Sequence, residues 1–292
     1  MQKELPQIPF QSGNFQVEGI EIITLQSLMQ RRTDLDHYPE KAHQIEFYAL
    51  VFYTSGETEH LVDFVWHEVS PHTLIYLTKG QINAFSFKEG VSGYLILFTE
   101  AYFRRQLNKM PDTEVLRLFN SHLFSPRLQI PQNSNVHQYI TLLFDEFYDG
   151  KETFNKANTI NALFTVLFSK LEQLKKFQTF HIKESDKLQR FLQFKALVEK
   201  EYTHSRNADF YADKLHISYK HLNSICKAII DRTAKQFIDE FVVLEAKRQL
   251  INSSIKSTEL AYALGFEEAT NFVKYFKNKT GLTPNKFKKT YT

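Results

Sequence analysis

Lysine, asparagine, serine and threonine recur on one side of two short segments in the last third of this 292-residue chain. These side chains can hydrogen-bond to base edges and to phosphates. In the first segment Ser218 stands at the N-cap position of a helix read from Tyr219 to about Ile230. Leu222, Ile225 and Cys226 face inward, which leaves Tyr219, Lys220, Asn223, Ser224 and Lys227 outward. An asparagine amide can read adenine through two hydrogen bonds, and a lysine can reach the acceptors of guanine. In the second segment Phe272 and Phe276 give a helix its apolar face, with Tyr275 on an adjacent flank and Lys274 and Lys277 elsewhere around it. Lys277, Lys279, Lys286, Lys288 and Lys289 suit phosphate contacts, which position a protein without specifying a sequence.

Catalytic chemistry is less well provided for. There is no Ser-His-Asp order, no zinc-ligand spacing and no glycine loop for phosphates, so the chain is not expected to be an enzyme or to need a cofactor. The single cysteine, Cys226, excludes an intramolecular disulfide and fills a core position, so a reducing, cytoplasmic setting is expected. The segment M-Q-K-E-L-P-Q-I-P-F has neither a long apolar stretch nor a small-residue cleavage site, so no signal peptide is expected. No apolar run approaches 18 residues, so no membrane span is expected. Charge is divided unevenly: residues 186–292 hold 19 Lys+Arg against 12 Asp+Glu, or +7, and residues 1–185 hold 17 against 21, or −4. The basic surplus lies where phosphate contact would need it.

The elements that would carry these side chains can be read directly. Leu260, Ala261 and Leu264 fit one face of a short helix, Gly265 suits its C-terminus, and Phe266 plugs the turn. Glu267 and Glu268 sit where a second helix begins, the end that favours acidic groups. Two short helices joined by such a turn form a helix-turn-helix pattern. It occurs twice. In the copy from Phe210 to Lys227, Ala212, Leu215 and Ile217 match Ala261, Leu264 and Phe266. Beyond the turn the later copy has one extra residue; Leu222, Cys226 and Lys227 then match Phe272, Phe276 and Lys277. Between the copies Thr233 to Asn252 reads as one helix, with apolar Phe237, Phe241, Leu244 and Leu250 and no Gly or Pro. Some twenty residues at ~1.5 Å rise span about 30 Å, close to the roughly 34 Å turn of B-DNA, so two recognition helices could enter successive major grooves on one face.

With A-x-x-L-G-F (261–266), F-x-x-x-F-K (272–277) and G-L-T-P-x-x-F-K (281–288), residues from about 186 to 292 resemble the AraC/XylS family of transcription regulators. The resemblance implies a seven-helix DNA-binding domain with two helix-turn-helix units. It places Lys220, Asn223 and Ser224 where base edges are reached. In the second unit the matching positions are Ala269, Thr270, Val273 and Lys274, with Asn271 adjacent. Ala269 and Val273 offer only apolar contact, for example to a thymine methyl, so the second helix is expected to add more affinity than discrimination. A regulator of this kind, an activator by family habit, would bind double-stranded DNA and RNA polymerase, work as a homodimer and answer to a small-molecule effector.

The front of the chain reads as β structure. Ile20, Ile22, Leu25 and then Ile45, Phe47, Ala49, Val51 and Tyr53 alternate or nearly so. Further runs at 61–66, 73–77, 82–87 and 94–98 are separated by Gly-containing turns. The expected class is α+β, with a cupin-like antiparallel β-barrel over residues 1–100, a helical linker and dimerisation region over 101–180 and the DNA-binding domain over 186–292. The cupin-like reading rests mainly on the family resemblance, and H-Q-I-E-F-Y (43–48) and V-S-P-H-T-L-I-Y-L-T-K-G-Q (69–81) look like its landmarks. Cupins often hold a metal, and His37, His43, Glu46, His60, His67 and His72 are the candidates, but their H-x-H…E pattern is missing and no metal is expected. Phe47, Tyr53, Trp66 and Tyr76, with His43, could line an effector pocket; the alternative is that these aromatics are core. A cupin-type metalloenzyme with an accessory DNA-binding domain is the competing function. Helices are expected at 101–107, 112–120, 136–148 and about 153–177. In the last, Ile160, Phe164, Leu167, Leu171 and Leu174 follow heptad steps, and this seam either pairs with a second subunit or packs on its own barrel.

Overall fold

The computed structural model describes residues 5–11, 17–32, 35, 37–107, 119, 125–149, 155–178, 186–252 and 255–291. The expected helical stretch at 112–120 lies, apart from Phe119, outside the described residues, as does the start of the helix expected from about 153. The chain divides into two compact units, residues 6–180 and residues 181–292.

Among the described residues the first unit holds two five-stranded sheets. One contains β1 (Gln7–Ile8), β3 (His43–Ile45), β8 (Ile82–Phe85), β5 (Thr58–Val62) and β6 (Val65–Val69), in that order. The other runs β10 (Arg127–Gln129), β7 (Thr73–Leu77), β4 (Tyr48–Ser55), β9 (Ser92–Phe98) and β2 (Ile20–Thr24). All pairings are antiparallel except β1 with β3. The β-rich, α+β expectation therefore holds, but the strands make two open sheets among the described residues, not a closed barrel. Among the described residues the helices of this unit are α1 (Leu25–Gln30), capped by Thr24, then α2 (Glu100–Gln106), α3 (Val136–Tyr148) and α4 (Lys156–Gln178).

Burial explains why strand alternation is faint in the sequence. Ala49, Leu50, Val51, Phe52 and Tyr53 of β4 are all buried, because both faces of the second sheet are covered. Ala49, Val51 and Tyr53 join Ile45, Val62, Ile75, Phe85 and Leu95 in the core between the sheets. Leu50 and Phe52 point the other way, with Tyr76, Ile96 and Phe98, into a core closed by Tyr102, Phe103, Ile140 and Phe168. Ile160, Phe164, Leu167 and Leu171 belong to that same core, fully or almost fully buried, and Leu174 packs against it. The heptad seam is thus spent on its own sheet; those side chains are covered before any second subunit arrives, and the dimer assignment for them is corrected accordingly.

Residues 61–66 do not form one strand. Asp63 and Phe64 take left-handed φ of 45° and 71° and turn the chain, so Val62 pairs with Val65. The reversal leaves Trp66 49% exposed on an edge strand.

The second unit contains seven helices among the described residues. They are α5 (Asp186–Glu201), α6 (Ala208–Lys214), α7 (Tyr219–Ile230), α8 (Ala234–Asn252), α9 (Ser257–Ala263), α10 (Ala269–Thr280) and α11 (Pro284–Tyr291). Aromatic contacts mark its core: Phe237 of α8 lies 5.3 Å from Phe191 and 5.4 Å from Phe194, and Phe194 lies 5.7 Å from Tyr211. Farther along the chain Phe276 meets Phe287 at 5.6 Å.

Candidate nucleic-acid interface

The pairs α6–α7 and α9–α10 repeat each other down to their ends. Each begins its second helix after an extended N-cap, Ser218 or Glu268, and each closes it on a left-handed residue, Asp231 or Gly281. The Asp231 N–H donates to the Lys227 carbonyl, and the Gly281 N–H to the Lys277 carbonyl. A threonine follows at the same place, Thr233 or Thr283, and then an inward phenylalanine, Phe237 or Phe287. In the turns, His216 and Gly265 both have positive φ, 55° and 74°. At Gly265 a Cβ would lie 1.7 Å from the Thr203 carbonyl oxygen, so this turn admits only glycine. The Arg206 guanidinium locks it from outside: it stacks 3.7 Å over the Phe266 ring and donates to the carbonyls of Leu264 at 3.0 Å and Gly265 at 3.2 Å.

With Leu222, Ile225, Cys226 and Ile229 buried, α7 exposes Lys220, His221, Ser224 and Lys227. Lys220, Ser224 and Lys227 are spaced i, i+4, i+7 and share one face. Fifty positions later α10 exposes Thr270, Asn271, Lys274 and Lys277 and buries Phe272 and Phe276, while Ala269 and Val273 are half-buried. His221, equivalent to Asn271, is absent from the contact set expected from sequence; the fifty-residue register is the signal that finds it. Burial pushes the Cys226 thiol up to about 12, so it is a neutral core group.

Several expected contact residues have work inside the fold. The Asn223 side chain is half-buried, and its Oδ1 accepts from the Ala234 N–H at 2.9 Å, capping the first turn of α8. That oxygen is also the atom a bidentate adenine contact would require, so in this structure Asn223 serves as a cap. Thr233 and Gln236 complete the cap reciprocally: Thr233 Oγ1 accepts from the Gln236 N–H, and Gln236 Oε1 accepts from the Thr233 N–H. Ser218 Oγ accepts from the His221 N–H at 3.2 Å, which leaves its hydroxyl proton to donate elsewhere. Lys279 pairs with Asp239 at 2.8 Å, and Lys288, half-buried, donates to the Ile255 carbonyl at 3.4 Å. Lys286 and Lys289 remain exposed.

In the first unit the five aromatic and histidine residues expected around an effector are dispersed. Phe47 and Tyr53 lie in the core between the sheets, Tyr76 lies on the opposite face of the second sheet, and Trp66 is exposed. His43 is buried, with its Nδ1 at 2.9 Å from the Lys41 carbonyl. A different group gathers there. His43, His60 and Asn83 share the inter-sheet face, and Tyr53 Oη lies 2.8 Å from His60 Nδ1. Among the described residues His60 Nε2 and Asn83 Nδ2 are buried without a hydrogen-bond partner. Burial holds the imidazoles neutral, lowering His43 to about 4 and His60 to about 3. Glu46 pairs instead with Lys79 at 3.4 Å, and no set of three metal-ligating side chains is assembled among the described residues. No described helix is long and apolar enough to cross a membrane.

Residues 211–290 match the family model described as a helix-turn-helix domain, so the segment with the AraC-type signature is a domain of that kind. The chain is 32% identical over 95 residues to an uncharacterized HTH-type transcriptional regulator in the cgkA 5′ region of Pseudoalteromonas carrageenovora, covering 32% of this chain and 56% of that one. It is 26% identical over 137 residues to the Msm operon regulatory protein of Streptococcus mutans, covering 46% and 48%. The chain thus spans about half the length of the curated relatives it matches. Among solved structures, ToxT of Vibrio cholerae with unsaturated fatty acid bound aligns over 97% of this chain and 98% of its own, at 12% identity and a TM-score of 0.47.

Proposed function

We propose that this chain, through the helix-turn-helix domain of residues 211–290, is a sequence-specific transcription regulator that places α7 and α10 in successive major grooves of double-stranded DNA. One observation carries the proposal: the two helix pairs repeat in caps, turns and core, and each turns a polar, lysine-bearing face outward on either side of the 19-residue helix α8. At ~1.5 Å per residue α8 is about 28 Å long, near the pitch of the duplex. Lys220, His221, Ser224, Thr270, Asn271 and Lys274 would face base edges, with Ala269 and Val273 against thymine methyls. Ser218, Lys227, Lys277, Lys286 and Lys289 would hold phosphates.

The division into a β-rich sensing region over 1–100, a helical region over 101–180 and a DNA-binding region over 186–292 belongs to the same proposal. So do activation, a contact with RNA polymerase and a cytoplasmic location, all of which the family resemblance supports. A homodimer would have to use surface other than the 160–174 seam. The unpaired His60 Nε2 and Asn83 Nδ2 favour the β unit as the sensor. A polar guest that paired them would recover about 1–3 kcal/mol for each buried group otherwise left unmade.

Competition binding of the full chain tests the function, using duplexes selected by it from a random pool against scrambled duplexes at several salt concentrations. A selected duplex should bind at least 1,000-fold more tightly, within the usual specificity ratio of about 10³–10⁷. Equal affinities for both duplexes at every salt concentration would remove the proposal.

A further inference from the structure

The side of α10 that faces away from Thr270 and Lys274 carries a polar anchor that α7 lacks. Asp239, on α8, has a side chain only 6% exposed. Its Oδ1 accepts from the Tyr275 hydroxyl at 2.9 Å and pairs with Lys235, and its Oδ2 pairs with Lys279 at 2.8 Å. The Tyr275 hydroxyl also reaches the Asp239 carbonyl at 3.3 Å. Burial alone would raise the Asp239 carboxyl, but hydrogen bonds from Lys235, Lys279 and Tyr275 outweigh it and hold the group below the usual carboxylate range. Tyr275, half-buried, and Lys279, exposed, are one turn apart on the flank of α10 that meets Asp239. The positions fifty residues earlier in α7 are Ile225 and Ile229, both buried and apolar. The first recognition helix is tied to the rod through the Asn223 cap, the second through this carboxylate.

We propose that Asp239 is a positioning residue that fixes the rotation and axial placement of the second recognition helix on α8, and so sets the spacing between DNA half-sites that the protein accepts. An apolar contact such as Ile225 against a neighbour is non-directional and tolerates small rolls and slides. Two charge-assisted or hydroxyl hydrogen bonds to one buried carboxylate, made from successive turns of a helix, have direction and short range and resist both. Lys274 and Thr270 project from the opposite side of the same helix, so a roll of α10 about its axis would swing them out of register with the groove that α7 has already chosen. Lys279 is thereby reassigned from the phosphate surface to the scaffold.

The inference rests on the proposed DNA-binding function, and the test separates the two. The full-length chain and its D239N, Y275F and K279M variants are each used to select duplexes from one random pool, and the recovered sequences are scored for half-site identity and for spacing. Thermal unfolding of each variant is followed in parallel. The wild-type chain should recover two half-sites at a single spacing. D239N should recover the same half-sites with spacing spread over two or three base pairs, and its preference for the original spacing over a one-base-pair shift should fall about tenfold. Y275F and K279M should each give part of that spread. A D239N variant that keeps the single spacing overturns the inference, and so does one that loses affinity equally at every spacing, which marks a merely structural role. If D239N does not fold, Y275F and K279M decide the matter: an unchanged single spacing in both folded variants overturns the inference as well. A wild-type chain that recovers no paired half-sites would instead remove the function on which the inference stands.

Discussion

Asn223 separates two accounts of the first recognition helix, one in which it reads a base and one in which it caps the rod. Its Oδ1 sits 2.9 Å from the Ala234 nitrogen, at the start of α8, where backbone N–H groups have no partner within the helix. Replacing it with alanine should cost about 1 kcal/mol, within the 0.5–2 range for a lost N-terminal cap. For a unit of this size that lowers its unfolding temperature by about 4–8 °C. Asn223→Asp keeps the acceptor and adds a negative charge at a helix N-terminus, which is worth about 0.3–1 kcal/mol, so stability should be kept or raised. Hydrogen exchange of the full chain is the direct assay. The Ala234 amide should exchange about fivefold faster in Asn223→Ala and no faster in Asn223→Asp, a factor that corresponds to about 1 kcal/mol. Base preferences measured on selected duplexes should keep their pattern in Asn223→Ala, with affinity lowered alike across sequences. The reasoning is refuted if Asn223→Ala leaves the Ala234 amide and the unfolding temperature unchanged while erasing preference at one base pair by about 1–3 kcal/mol, the worth of a bidentate contact.

Other outcomes follow from the same geometry. Lys277→Ala should lower the salt dependence of DNA binding by about one phosphate's worth, whereas Lys279→Ala should leave that slope unchanged because its ammonium is already paired with Asp239. Phe164→Ala should destabilise the β unit by about 3–5 kcal/mol at every protein concentration in urea unfolding; a loss that disappears at high concentration would instead mark a subunit interface. His43 and His60 have folded-state values lowered to about 4 and 3, below the ordinary histidine value, so the unfolded chain takes up their protons first as pH falls. The stability they contribute as neutral groups is therefore full above about pH 6.5 and is lost as pH falls from there toward the folded values. The slope should approach about 1.4 kcal/mol per pH unit for each, and His60→Phe should reduce it in urea titrations between pH 7 and 5.

The helical third of the chain is largely legible in the sequence because its signals are local. Ser218, Gly265 and the apolar steps from Leu222 to Ile229 each fix a cap, a turn or a face within a few residues, and α7 runs from Tyr219 to Ile230 as its sequence suggests. What escapes is the use of polar side chains across elements. Asn223 looks outward on a helical wheel, and only the close approach of the α8 start, eleven residues on, turns it into a cap. Asp239 and Lys279 are forty residues apart, and nothing in the spacing joins them. In the β unit the difficulty is different. A strand buried on both faces, such as β4, loses its alternation, and a heptad seam such as Ile160 to Leu174 looks the same whether it meets a sheet or a second helix. The hairpin at Asp63 and Phe64 reads as unbroken strand because a phenylalanine at positive φ gives no sign in the sequence, and Trp66 reads as an inward residue for the same reason.

The central claim is that one chain presents two reading heads to the same side of the duplex, one helical turn apart. Guanine N7 methylation interference on a duplex selected by the full chain measures this directly, because N7 lies in the major groove. Two clusters of interference centred about 10–10.5 base pairs apart are predicted, the spacing of successive major grooves on one face. A single cluster, or two clusters offset by half a turn, would contradict it.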